Sequence, residues 1–291
     1  EVLLTERFFT ENLDRVEQQA NESEEINISA EIVAEAMEHL PLGKAPGPDG
    51  VANEALRLIS DPDVIDEMAR LFTVLVNDPT TLDPNWKRSL VALIAKHGNP
   101  SPTDYRPIAL LNHIAKLMEL VVKAVLVVDI GDQQFGFKNK TGVDECTSTV
   151  RATDEVCRQL ELPLVGVFLD IKKAYDTVPP RVLAAALERK GVKPRLIRFL
   201  HAWVSGHSRK LLIDDDGEDD ADDWLAVMVG VPQGSILAPI LFSIVMDTLN
   251  DLLHDKDVFG LGKPSEMTVR KAPLNRKAIV PPVLDNRLSE K

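Results

Sequence analysis

Between Gly43 and Gly50 the chain reads Gly-Lys-Ala-Pro-Gly-Pro-Asp-Gly, three glycines and two prolines in eight residues. Proline lacks the amide hydrogen that helices and sheets use, and glycine loses the most backbone freedom on ordering, so no regular element can cross this stretch. The chain on either side must form separate elements joined by a loop. Before it, Ser29 is a candidate N-cap with Glu31 in the first turn, and Ile32, Val33, Ala36, Met37 and Leu40 follow helical spacing. After it, Val64, Ile65, Met68, Leu71, Phe72, Leu75 and Val76 predict a second helix.

The remaining pattern mixes both periods. Leu90 to Ala95 is a run of strand length, followed by polar turn residues and then Tyr105 to Leu111, which reads as strand, turn, strand. Ile114 to Val128 is helical. Leu164 to Leu169 has the composition of a buried strand and ends at Asp170. Pro180 suits the first turn of a helix that Gly191 would close, and another helix spans about Arg195 to Val204. Lys210 to Ile213 and Trp224 to Val231 predict a hairpin around the acidic run Asp214–Asp223, and Ile236 to Leu253 a long apolar helix. Helices and strands interleave without strict βαβ order, so the expected class is α+β. Residues 1–28 are polar and leave a frayed helix and a linker both open.

Composition constrains function less than it first suggests. The net charge of −13 argues against a nucleic-acid partner, but residues 1–36 and the run 214–223 each carry −8, leaving the other residues at +3. Charge therefore neither supports nor excludes nucleic acid. The longest apolar stretch, Leu117 to Ile130, holds Glu119, Lys123 and Asp129, so no membrane span is expected. Cys146 and Cys157 form no metal quartet and read as reduced core thiols of an intracellular protein, nucleus or cytoplasm left open. The chain starts at Glu1 without Met or leader, which suggests a piece of something longer, with no endonuclease domain expected ahead of it.

Several residues have chemistry that their setting would use. A carboxylate at the end of a buried strand, as Asp170 would be, is rigidly held and suits a hard divalent cation. Lys96 and Arg106 flank the first predicted hairpin, where cations can close over a triphosphate; the plainer reading is a pair of solvated surface charges. Gln233-Gly234-Ser235 stands between a strand and a helix, where glycine allows close backbone approach and a helix N-terminus favours phosphate. The six histidines show no metal-ligand spacing, and the acidic run reads as a solvated hairpin tip.

Four patterns then stand in a fixed order: Gly43 to Gly50; Tyr105-Arg106-Pro107-Ile108; Phe168-Leu169-Asp170-Ile171-Lys172-Lys173-Ala174-Tyr175-Asp176; and Gly230-Val231-Pro232-Gln233-Gly234-Ser235. With Gln134-Phe135-Gly136-Phe137 they resemble the reverse-transcriptase domain of LINE-type (non-long-terminal-repeat) retrotransposons over roughly residues 29–257. The resemblance implies a right-hand polymerase of fingers and palm, with 29–162 fingers-like, 163–258 a partial palm whose sheet is incomplete, and 259–291 a tail that does not match. It implies RNA-directed DNA synthesis from an RNA template, a DNA primer and deoxynucleotides, with two Mg²⁺ ions. Asp170 would be catalytic and bind metal, and Ile171 would add its backbone carbonyl. Lys96, Arg106, Tyr175, Gln233 and Gly234 would bind the nucleotide, with Tyr175 under the sugar, where a 2′-hydroxyl would clash. Asp176 would be structural, capping the next helix.

The pattern departs from the family in one respect that matters. An aromatic residue, Ala and then Asp-Asp should follow the helix ending near Leu253, but the later acids Asp255, Asp257, Glu266, Asp285 and Glu290 are isolated. One carboxylate cannot fix two cations, so an inactive relic or fragment is expected of the chain as written. The alternative is a residual nucleic-acid-binding or protein-interaction module. The palm strand ending at Asp170 would also lack a neighbour.

Overall fold

The computed structural model describes residues 6–95, 105–138, 140–166, 171, 173–212 and 224–255. Glu1–Asn250 form one compact unit, and of the second, Asp251–Lys291, only the end of a helix is described. The chain is mixed α and β: helices α1 (Glu6–Glu22), α2 (Ala30–Glu38), α3 (Asn53–Arg57), α4 (Pro62–Asn77), α5 (His113–Val125), α6 (Val143–Gln159), α7 (Pro180–Arg189), α8 (Pro194–Val204) and α9 (Ala238–Asp255), with strands β1 (Arg88–Ala95), β2 (Tyr105–Leu111), β3 (His207–Leu211) and β4 (Leu225–Val227).

The strands form a sheet in the order β2-β1-β3-β4. β1 pairs antiparallel with β2, from Ser89 opposite Leu111 to Ala95 opposite Tyr105, and parallel with β3, while β3 and β4 form the expected hairpin. Pro107 is tolerated because β2 is an edge strand, where a missing N–H breaks no central ladder. The far half of the β1–β2 hairpin leaves the protein surface, with Leu93 and Ile94 about half exposed.

Helices enclose the core. α1 packs on α7 and α8, α2 on α4 and α5, and α4 and α7 on α8. Within the polar segment, Glu6–Glu22 form α1, in which Val16 and Ala20 are buried and Arg15 forks onto Glu188 of α7 at 2.7 and 3.0 Å. Asn77 at the end of α4 accepts from the Ile26 amide at 2.9 Å and donates to the Ile26 carbonyl at 2.8 Å, which ties the next stretch down. Four aromatic rings run through the centre: Phe72 meets Trp86 edge-on, Trp86 meets Trp203 edge-on, and Phe199 stacks on Trp203 at 5.5 Å. α7 ends as its sequence predicts. Gly191 takes φ +72°, its amide bonds to Glu188, and the Val192 amide reaches back to Leu187.

Four expectations change. Residues 163–166 carry no strand and Val165 is 83% exposed, so the described half of the Leu164–Leu169 strand is absent, and 167–170 lie outside the described residues. An apolar run becomes a strand only where a ladder accepts it, and no described strand pairs here. Cys146 and Cys157 are free thiols on α6, a helix with no buried residue, and not core groups. Asp176 caps nothing: α7 begins after Pro179 without a side-chain cap, and Asp176 instead faces Arg209 at 3.6 Å. α6 itself has no counterpart among the expected elements. The residues around the acidic run, 213–223, lie outside those described.

Lys87 and His207 pin β1 and β3 to the end of α8. The Lys87 ammonium donates to the carbonyls of Ala202 (2.8 Å) and Ser205 (3.1 Å), and the buried His207 ring sits 3.1 Å from the Lys87 carbonyl oxygen. Burial pushes the imidazole down from 6.5 to about 4, although the Lys87 carbonyl beside it pulls the other way. The unfolded chain takes up a proton near 6.5, whereas the folded chain refuses it until about 4. Stability is therefore complete above pH 6.5 and falls through this window, by up to about 3 kcal/mol. Urea midpoints between pH 7 and 4.5 should drop less for His207→Phe than for the wild type, and equal drops would remove His207 as the cause.

Candidate active site

Three of the four patterns meet at β2 or beside it. The Gly43–Gly50 loop closes on the strand's end: Asn112 Oδ1 accepts from the Asp49 amide at 3.2 Å, and the His113 Nε2 lies 3.1 Å from the Ala45 carbonyl. Gly47 sits so close that a Cβ would collide with the Asn112 amide nitrogen. Two residues upstream of Leu111, the Ala109 amide donates to the Gln233 carbonyl at 2.6 Å, and a Cβ on Gly234 would run into the Ala109 carbonyl oxygen. The Gly230–Ser235 segment thereby covers part of the free edge of β2.

Its other end grips the Tyr175 turn. Ala174–Thr177 form a 3₁₀ turn entered through Lys173 in the left-handed region, φ 53°. The Val231 amide donates to the Tyr175 carbonyl at 2.8 Å and the Gly230 amide to Val178 at 3.0 Å. Gly230, at φ +97°, leaves room for no side chain, because a Cβ would lie 2.7 Å from the Tyr175 oxygen and the Asp176 Cα. The Tyr175 ring rests against Phe242 of α9 (5.4 Å) and meets Phe137 edge-on (6.5 Å). Burial raises its phenol above the usual value, so it stays protonated at neutral pH.

Among the expected site residues, Tyr175, Gln233 and Gly234 are thus joined by backbone contacts. Arg106 is exposed on the projecting hairpin, three residues along β2 from Ala109, roughly 10 Å. Ile171 is partly exposed. Asp170 and Lys96 lie outside the described residues. Among those that are described, no group of three or more His, Cys, Asp or Glu is placed to hold a metal ion, and a lone Ile171 carbonyl is a neutral donor insufficient for one. No described helix is long and apolar enough to cross a membrane.

Sequence reasoning missed several residues here. Phe137, Phe242 and Ala109 carry no signal of their own, because their parts depend on neighbours distant in the chain. Glu119 does carry one: it is an acid among the buried Leu117, Met118, Val121 and Val122 of α5, and it is itself 1% exposed. Its carboxylate accepts from Ser235 Oγ (2.7 Å), the Ile236 amide (2.6 Å) and Trp203 Nε1 (3.1 Å). Burial pushes its carboxyl above the usual range, and these donors pull against that.

Residues 94–262, more than half of the chain, match the family described as reverse transcriptase (RNA-dependent DNA polymerase). The chain belongs to the reverse transcriptase family. Its relatives place it among LINE-type, non-long-terminal-repeat retrotransposons. It is 31% identical over 227 residues to the RNA-directed DNA polymerase from mobile element jockey of Drosophila melanogaster, covering 75% of this chain and 24% of that protein. Identity is 28% over 248 residues to the probable RNA-directed DNA polymerase from transposon BS of the same organism, covering 81% and 26%. It is also 28% over 225 residues to the Pol polyprotein from type-1 retrotransposable element R2 of Nasonia vitripennis, covering 75% and 21%. The chain therefore spans about a quarter of the length of these relatives. Reverse transcriptases generally use divalent metal ions.

In this reverse transcriptase domain the glycines at 191 and 234 should respond differently to the same change. Gly191→Ala meets open space and costs only the left-handed backbone, about 1 kcal/mol. Gly234→Ala, at φ +131° against Ala109, must displace backbone as well and should cost roughly 3 kcal/mol. Urea unfolding of the two variants checks the order, and equal losses would contradict the close approach.

Proposed function

We propose that this chain carries the nucleotide-binding part of an RNA-directed DNA polymerase, which extends a DNA primer on an RNA template with deoxynucleotides. The observation that supports this most directly is the clasp of Gly230–Ser235 between Ala109 of β2 and the Tyr175 turn. It brings residues from two separate patterns, the Tyr175 turn and Gly230–Ser235, into one backbone-defined corner beside β2. In this reading residues 29–162 are fingers and 163–258 the available palm. Tyr175 lies under the sugar, its ring held by Phe242, and rejects a 2′-hydroxyl by contact. Gln233 and Gly234 border the templating base and nucleotide, and the tight approach of Gly234 leaves that border without a side chain.

Arg106 and Lys96 meet the triphosphate from the projecting hairpin. The guanidinium presents a planar set of donors to phosphate oxygens and can stack on the incoming base. Asp170 with the Ile171 carbonyl would hold Mg²⁺, which supplies positive charge to the triphosphate when bound. One carboxylate does not fix two ions, so turnover by these 291 residues alone is not part of the proposal. The setting is intracellular, where nucleotides and RNA are found.

Binding tests this reading. Fluorescence anisotropy should show an RNA–DNA hybrid held at low salt, with affinity falling linearly in log salt. Arg106→Ala should weaken deoxynucleotide binding to that complex about tenfold, one charge-assisted contact's worth. A folded chain that binds no hybrid at low salt would sink the proposal and favour the protein-contact alternative that its acidic segments suggest. Primer extension with Mg²⁺, abolished by Asp170→Ala, would reveal a second carboxylate outside the expected pattern.

A further inference from the structure

We infer that Glu119 is a positioning residue for the nucleotide pocket: its buried carboxylate, through Ser235, sets where Gln233 and Gly234 stand against β2. This rests on the reading of Gln233 and Gly234 proposed above. Glu119 lies on α5 and acts through Ser235. Ser235 Oγ donates to Glu119 Oε1 at 2.7 Å while accepting from the amides of Leu237 (3.2 Å) and Ala238 (3.1 Å). The Ile236 amide donates directly to Glu119 Oε2 at 2.6 Å. All three amides at the entry to α9 are therefore satisfied by this one pair of side chains. An 18-residue helix also presents the positive end of its dipole there, which favours a carboxylate in a place where burial opposes one.

The carboxylate itself cannot drift. Trp203 Nε1 donates to Oε1 at 3.1 Å, and the Trp203 ring is stacked on Phe199 and edge-on to Trp86. From Ser235 the chain has only Gly234 before reaching Gln233, whose carbonyl takes the Ala109 amide at 2.6 Å. A single residue between two fixed ends leaves no slack. A change at Glu119 is thus passed to Gln233 and Gly234 as displacement. It is not absorbed as loop motion. The direction of hydrogen bonding makes the link specific: all three donors point at Glu119, so a carboxamide there turns its own N–H₂ towards a donor and breaks at least one bond.

The test compares Ser235→Ala, Glu119→Gln and Ser235→Thr with the wild type. Ser235→Ala removes the linking hydroxyl but leaves the Ile236 and Trp203 bonds to Glu119, so it keeps a folded variant available if Glu119→Gln unfolds. Affinity for dCTP in a complex with a primed RNA template should fall about tenfold in Ser235→Ala, the worth of one buried hydrogen bond. Affinity for the primed template should stay near wild type, the urea midpoint should drop modestly because the Ile236 and Trp203 bonds to Glu119 remain, and Ser235→Thr should restore dCTP binding. Unchanged dCTP affinity, or a loss matched by an equal loss of template affinity, would overturn the inference. Amide exchange gives a second readout that needs no nucleotide. Exchange at residues 233–237 and at Ala109 should quicken at least tenfold in Ser235→Ala while α4 and α8 stay protected. Uniform quickening, or none, would also overturn it. A wild-type chain that binds no dCTP would sink the polymerase reading, and the exchange result would still decide whether Glu119 positions this segment.

Discussion

The arrangement of this fold turns on a carboxyl group buried from solvent, that of Glu119. An ionised group buried without partners would cost several kcal/mol, and in practice it would be expelled or neutralised. Glu119 offsets part of that cost by collecting donors from elements that are far apart in sequence: Trp203 of α8 and the Ser235–Ile236 entry to α9. Losing these donors together would leave the carboxyl group buried and unpaired, which makes the junction of α5, α8 and α9 specific where apolar packing alone would tolerate sliding. Trp203 extends the constraint into the aromatic row that crosses α4 and the turn before β1.

A second set of constraints is steric, and it converges on β2. Gly47 presses on the strand's exit and Gly234 on its middle, while Gly230 presses on the Tyr175 turn. In each case the missing Cβ lets two backbones meet at a distance that no other residue permits. Hydrogen bonds attract these segments, but exclusion decides their registration. The same strand that forms the sheet's edge is thereby capped by loop backbone at Ala109, which removes a free amide from solvent.

How much of this the sequence discloses depends on how local its cause is. The β1–β2 hairpin, the helices from α7 to α9 and the Gly191 stop were all readable, because strand runs, N1 prolines and C′ glycines act within a few residues. The four patterns were readable as a set through family resemblance, although their mutual contacts were not. Nothing in Ala109 announces that Gln233 will bond to it. α6 escaped notice because its stabilisation is almost wholly internal. Arg158 pairs with Asp154, Gln159 bonds to Glu155, Thr153 to the carbonyl of Thr149, and its apolar residues Val143 and Val150 face solvent. Amphipathic spacing interrupted by threonines is weak evidence for a helix until the helix is seen.

The opposite error, a strand expected at 164–169 and not found in its described part, has the same origin. Leu-Val-Gly-Val-Phe-Leu has every compositional mark of a buried strand, yet composition only states what a segment would gain if a ladder and a covering layer were available. Helix propensity needs no partner to be expressed, since its hydrogen bonds close within the segment. A strand's bonds all lead outwards, so the segment depends on edges supplied elsewhere. In the described sheet β2 is the edge strand on one side, where its middle is taken by Gln233, and β4 is a three-residue strand on the other. Neither offers 164–166 a ladder of useful length, and Val165 accordingly stays in solvent. The reach of a sequence reading in this chain therefore ends where structure begins to depend on a second segment. The corner formed by Ala109, Tyr175 and Gly230–Ser235 lies on the far side of that limit.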